Sequence, residues 1–140
     1  MKAYIAGKLG TSSEREELEK IDKMCQSIGF KTYLPHRDGG LARGMKDVSP
    51  IFKSDITDNL PNCDVVIAIL DGLHVGSGTA WELGFAYAKG IPTIGLKTDE
   101  PISEALDYLS PMILASMPIV SSVKALETGL KNFFKRKKFK

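Results

Sequence analysis

Cysteine, histidine and tryptophan are scarce in this chain, with two, two and one among 140 residues. Cys25 and Cys63 form no Cys-x-x-Cys pair, and His36 and His74 form no His-x-x-x-His pair. Zinc-type ligand spacing is therefore missing, so neither a metal site nor a cofactor is expected. A lone pair of cysteines in an α/β pattern reads as two reduced thiols, one on a predicted helix and one at a strand entrance. No apolar run approaches the roughly 20 residues of a membrane span. The N-terminal MKAYIAGKLG is too short and too glycine-interrupted to read as a signal peptide. These features give the expectation of a cytoplasmic protein that does not engage a membrane. Repeats, low-complexity tracts and linkers are also lacking, so one domain over residues 1–140 is expected. The formal charge of +2 is concentrated in Lys135, Arg136, Lys137, Lys138 and Lys140, leaving the rest of the chain net acidic. A nucleic-acid polymer is not the expected partner. Cations at the end of a C-terminal helix already suit its dipole.

What is present is an alternation of strand and helix signals. KAYIA at Lys2 to Ala6 reads as a first strand. Ser13 and Glu16 read as a capping box, and Leu18, Ile21, Cys25 and Ile28 give a buried helical stripe stopped by Gly29. FKTYL at Phe30 to Leu34 is a second strand closed by Pro35. His36 to Val48 has no period and reads as a loop over the site. Ser49 and Pro50 suit the start of a helix with Phe52, Ile56 and Leu60 on one face. VVIAIL at Val65 to Leu70 reads as a strand buried on both faces. Thr79 to Lys89 is helical, Pro92 to Leu96 and Met117 to Val120 are strands, and a last helix starts near Ser122 with Leu126 and Leu130 inward. Such alternation predicts an α/β, doubly wound, Rossmann-like domain with five parallel strands, helices on both faces and right-handed crossovers. The expected order is 2-1-3-4-5, the flavodoxin-like variant, which sets the turn Gly7 to Gly10 beside the turn Asp71 to Gly78.

The chemistry concentrates in GSGTAWELG, Gly76 to Gly84. Glu82 stands in an apolar helix start just beyond the carboxyl end of a buried strand, where open α/β sheets gather ligands. Burial raises its pKa and the helix N-terminus lowers it, so the sequence leaves the net sign open. An ionised carboxylate in a dry pocket suits attack on an electron-poor carbon such as the anomeric carbon of a sugar. Alternatively, Glu82 caps a backbone amide of its own helix. A second acid normally serves the leaving group, and Asp55 and Asp58 are the candidates, three residues apart on the preceding helix. Tyr4 is a further candidate hydroxyl. Gly76, Ser77 and Gly78 supply open amides for an anion. The dinucleotide fingerprint fits poorly, because its third glycine would fall on Trp81, and no Gly-Lys-Ser/Thr completes a Walker loop.

Taken together, YIAG, the Asp-bearing helix before CDVVIAILDG, and GTAWELGFAYAKGIPTIGL resemble the nucleoside 2-deoxyribosyltransferase family from Tyr4 to about Met112. That resemblance implies cleavage of the N-glycosidic bond of a nucleoside or its 5′-monophosphate through a glycosyl-enzyme on Glu82, with transfer to another base or to water. It implies an assisting aspartate at Asp55, with Asp58 still open; beside it, the reading of the residues keeps Tyr4 as a candidate at the reacting centre and gives Gly7, Lys8, Asp58, Asp71, Ser77 and Gly78 as the expected substrate contacts. It also implies a small-molecule substrate and a homodimer or larger homo-oligomer. Many transferases carry aspartate where Gly76 stands, proline where Lys8 stands and asparagine near Ser110. Losing an acid and gaining a lysine points toward the branch that hydrolyses deoxynucleoside 5′-monophosphates. Two other readings remain: a phosphoribohydrolase of the lysine-decarboxylase-like type, whose glycine motif GSGTAWE matches in part, and a nucleotide-binding sensor without turnover.

Overall fold

A computed structural model describes residues 1–140. Strands β1 (Lys2–Ala6), β2 (Lys31–Tyr33), β3 (Val65–Ile69), β4 (Thr93–Leu96) and β5 (Ile119–Val120) form one sheet in the order β2-β1-β3-β4-β5. All four pairings are parallel, so every connection crosses over the sheet. This is the expected α/β order. β3 lies in the middle, and Val65 to Ala68 are fully buried. Alternate residues enter opposite cores: Ala3, Ile5, Val65 and Ile67 pack with Leu18, Cys25, Leu126 and Leu130, while Tyr4, Ala6, Val66 and Ala68 pack with Ile56, Leu60, Leu83 and Ala86.

The helices that supply these side chains are α1 (Ser12–Ile28) and α6 (Val123–Lys138) on one face of the sheet. On the other face lie α3, which runs from Val48 to Phe52 and continues as a π-helix over Lys53–Asn59, then α4 (Ser77–Ala88) and α5 (Pro111–Ser116). A short helix, α2 (Pro35–Asp38), follows β2. Cys25 and Cys63 are free and buried, and burial pushes their thiols up to about 12 and about 11. Such thiols stay protonated and unreactive at neutral pH. No helix is long and apolar enough to cross a membrane.

Several local expectations need correction. α1 uses Thr11 and Glu14 as its capping box, not Ser13 and Glu16. Two overlapping Ser/Thr-x-x-Glu patterns compete, and the earlier one adds the Arg15 N–H to Thr11 carbonyl bond to the helix. α1 ends as expected at Gly29, whose φ of 116° admits the left-handed cap. The stretch His36 to Val48 is not all loop. Arg37 binds Asp22 at 2.9 Å and Asp38 accepts the Leu34 N–H at 2.9 Å, which folds its first residues into α2. Ser49 and Pro50 do not open α3, because a 3-10 turn over Met45–Asp47 leads straight into Val48. Pro50 is tolerated in the first turn, where no amide partner is required. α4 begins at Ser77, two residues earlier than expected, and β2, β4 and β5 are shorter than their apolar runs.

Candidate active site

Because β1 and β3 are neighbours, the loops leaving their carboxyl ends meet above the sheet. The Lys8 side chain lies across the β3–α4 turn, its Cγ only 3.1 Å from where a Cβ on Gly76 would stand. Its ammonium also fills the space beside Gly72, whose φ of 103° turns the chain away from β3. Glu14 is 3.6 Å from the Lys8 ammonium. Gly7 serves packing, since a Cβ there would lie 2.6 Å from Leu18 and 3.3 Å from Ile69.

Beside this turn lies a cavity of about 370 Å³, lined by Phe52, Asp55, Ile56, Ser77, Gly78, Trp81 and Glu82. Three groups that the sequence placed in the site, Asp55, Glu82 and the Ser77–Gly78 turn, thus share one hollow. Ser77 and Gly78 open α4, so their amides have no partner within the helix. A larger groove of about 490 Å³ between α4 and α5 contains no carboxylate. Trp81 forms an edge contact with Phe52 at 5.5 Å between ring centroids and stacks on Phe85 at 5.7 Å. Trp81 and Phe52 remain half exposed, giving the cavity an aromatic wall.

Glu82 Oε2 and the Tyr4 hydroxyl are both buried and neither makes a hydrogen bond of good geometry. Tyr4 lies in β1 beneath α4 and is completely buried. Burial pushes the Glu82 carboxyl up to about 7, against the facing Tyr4 hydroxyl, which lowers it, and together with the Asp55 charge, which raises it. The sign left open by the sequence is therefore set by burial. The capping alternative for Glu82 finds no support, because no backbone amide reaches its carboxylate. Burial, and next the Glu82 charge, drive the Tyr4 hydroxyl far above its ordinary value, so it stays protonated.

Asp55 and Asp58 go separate ways. The π-helical turn widens the spacing between them, and they no longer share a face. Asp55 Oδ1 accepts the Tyr33 hydroxyl at 2.7 Å, and burial, partly offset by that bond, raises its carboxyl. Asp58 points to solvent and pairs with Lys53 at 2.7 Å. Asp71 is also committed elsewhere: its carboxylate takes both the amide and the hydroxyl of Thr98 at 2.6 Å. Of these two expected substrate contacts, one thus takes part in a surface pair and the other in a clasp between loops, and neither lines the cavity with Glu82. Ser110, compared above with a family asparagine, caps α5 through the Met112 amide.

Sequence reasoning missed Tyr33, Ser54, Phe52 and Gly39. In the sequence Tyr33 is only one residue of a strand; its register match to Tyr4 across β1 and β2 is what brings it beside Asp55. Gly39, in the sequence, is a loop glycine without a signal of its own. A Cβ there would collide with Asp55 Oδ1 and stand 2.8 Å from the Tyr33 hydroxyl.

The sequence profile described as nucleoside 2-deoxyribosyltransferase matches residues 3–113, spanning both catalytic candidates and the sheet up to β4. The chain belongs to the nucleoside 2-deoxyribosyltransferase family. Among solved structures, a conserved protein from Enterococcus faecalis V583 is similar at 25% identity and a TM-score of 0.76, over 94% of this chain and 98% of that one. The 2-deoxyribosyltransferase of Bacillus psychrosaccharolyticus shares the fold at 21% identity and a TM-score of 0.72, over 91% and 90%. The Clostridium botulinum CMP N-glycosidase BcmB shares it at 18% and 0.56, over 95% and 98%. A comparison with curated proteins gave no match. The phosphoribohydrolase alternative has no comparable family match.

Proposed function

We propose that this family member cleaves the N-glycosidic bond of a deoxynucleoside or its 5′-monophosphate, with Glu82 as nucleophile. One observation carries the reading: Glu82 offers a buried, unpartnered carboxylate oxygen at a cavity that also holds a second acid, Asp55. The ionised Glu82 oxygen attacks the anomeric carbon as the bond to the base breaks, and the bonding pair leaves with the base nitrogen. Asp55, whose Oδ2 is free of protein hydrogen bonds, supplies or relays the proton the departing base takes up. The Tyr4 hydroxyl, facing Glu82 with its proton retained, steadies the carboxylate's charge until formation of the ester neutralises it. A second base or a water, losing a proton to Asp55, then attacks the same carbon and releases Glu82.

The 5′ end of the substrate falls to the Ser77 and Gly78 amides, with Lys8 reaching across from the turn after β1 to lie beside Gly76. Gly76 adds no acid there, which favours a phosphate over a bare hydroxyl. The family likeness also carries the proposal of a homodimer or larger assembly, and the exposed Tyr87 and Met112 over the α4–α5 groove give a second copy an apolar face to cover. Light scattering coupled to size exclusion tests the assembly.

The deciding experiment incubates the protein with deoxynucleosides and with their 5′-monophosphates, each with and without a second base. Exchange of bases establishes transfer, whereas free base with free sugar or sugar phosphate establishes hydrolysis. Binding without release of base sinks the enzymatic reading and leaves a sensor. Lys8→Ala should weaken 5′-monophosphates far more than nucleosides; equal effects on both would remove Lys8 from the phosphate end.

A further inference from the structure

We propose, building on the glycosidic reading above, that Tyr33 is a positioning residue for the reaction: its hydroxyl holds one oxygen of Asp55 so that the other faces the substrate. Tyr33 Oη lies 2.7 Å from Asp55 Oδ1 and 2.8 Å from Ser54 Oγ. A phenol has one proton to give. An ionised Asp55 can only accept, so that proton goes to Asp55 and the Ser54 hydroxyl donates to Tyr33. The relay thus has a fixed direction, from Ser54 through Tyr33 to Asp55, and it occupies Oδ1 alone.

The tyrosine is itself held from three sides. Tyr33 and Tyr4 are register partners on β2 and β1, and their rings stack at 5.2 Å with 17° between planes. Both are buried in the same core. Each of the two acids therefore faces its own tyrosine, Glu82 with Tyr4 and Asp55 with Tyr33, and the stacked rings tie the two pairs to the rigid sheet. Gly39 closes the third side without a side chain, which leaves room for Asp55 to reach the phenol. α2 places Gly39 there through its Arg37–Asp22 and Asp38–Leu34 contacts.

A free aspartate on a helix surface turns about its side-chain bonds, and either oxygen can face either way. Anchoring Oδ1 removes that freedom before substrate arrives, as preorganised sites require. The same bond favours the ionised form of Asp55 and offsets part of what burial does. Loss of the phenol hydroxyl should consequently affect both the geometry and the titration of Asp55, whereas loss of mere packing would affect neither.

The test is Tyr33→Phe, which keeps the ring and its stack on Tyr4 and deletes only the hydroxyl. The carboxyl carbon of Asp55, assigned with Asp55→Asn, is titrated by carbon-13 NMR in the free protein, and kcat and KM are measured on whichever deoxynucleoside or 5′-monophosphate the wild type turns over. We expect the Asp55 titration to move up by about one pH unit and kcat to fall about tenfold, with KM within about twofold, as for loss of a hydrogen bond to a charged group. Ser54→Ala should move both in the same direction by less. An Asp55 titration that stays at its wild-type position, or a kcat that does not fall when the titration moves, overturns the proposal. If the wild type turns over no substrate at all, the glycosidic reading fails by itself, and an unmoved Asp55 titration would still be the result that removes Tyr33.

Discussion

A carboxylate at position 82 must be ionised to attack, yet burial favours its neutral form. With the carboxyl at about 7, activity should climb as pH rises through that value and then level, a limb absent from a carboxyl at its ordinary value. A kcat/KM profile flat between about pH 5 and about pH 8 would separate Glu82 from the chemistry. Stability should run the other way. The folded state holds the proton on Glu82 more tightly than the unfolded chain, so this contribution is complete below the ordinary carboxyl value of 4.5 and is lost as pH rises to about 7. Glu82→Gln, which cannot ionise, should abolish turnover while adding up to about 3 kcal/mol of stability near pH 8, seen as a higher melting temperature, and change little near pH 4. Thermal melts at both pH values check the sign. A Gln variant that is inactive and also less stable at both would point to a structural role instead.

At the scale of elements, the π-helical continuation of α3 separates two acids that a regular helix would have kept on one face. Asp58→Asn should therefore leave kcat within about twofold, since its partner is the exposed Lys53 and surface pairs contribute little, whereas Asp55→Asn should cost about 100-fold or more if it moves the proton. Steady-state kinetics on both variants decide between them. The α2–Gly39 segment makes a complementary prediction. Gly39→Ala puts a methyl against Asp55 Oδ1 and the Tyr33 hydroxyl, and the aspartate, being the freer side chain, yields first. We expect activity to fall by about tenfold while the melting temperature changes by only a few degrees, about 1 kcal/mol. A large loss of stability with unchanged kcat would show that the backbone moves rather than Asp55.

At the scale of the whole molecule, the crevice depends on two loops held together by a buried lysine. Lys97 is completely buried at the end of β4, with Asp99 at 2.8 Å and Glu100 at 3.2 Å. Its ammonium also reaches the carbonyls of Leu70 and Gly72, on the turn that leads into α4. Burial by itself would lower its pKa, but the bonds to Asp99 and Glu100 outweigh this and raise it. Asp71 to Thr98 and the Gly72 amide to Asp99 complete the clasp. Lys97→Met keeps the apolar stem and removes the charge, leaving two carboxylates and two carbonyls without their cation. A loss of about 2 kcal/mol in denaturant titrations is expected, at the low end for a broken buried pair because Asp99 is partly exposed. Loss below about 0.5 kcal/mol would mean that water replaces the ammonium without cost.

Much of this was legible along the chain because periodicity and punctuation are local. VVIAIL reads as a doubly buried strand, Gly29 as a helix stop, and the alternation of elements as a five-stranded parallel sheet, and each follows from burial requirements that any fold of these residues must meet. GSGTAWELG likewise announced an acid at a helix start. What the sequence left open were choices between equivalent residues. Asp55 and Asp58 have the same chemistry on the same helix, and only a π turn and the phenol of Tyr33 separate them. The pKa of Glu82 was a contest between burial and a helix end, and its sign depends on how closely β1 and α4 approach. Tyr33 and Gly39 carried no local signal at all, because their place beside Asp55 comes from strand register and a collision that exists only once the chain has folded. Composition and spacing thus determined the sheet and its order and singled out Gly76 to Gly84 as a candidate site. Which oxygen faces which hydroxyl was decided by the packing of segments far apart in the chain.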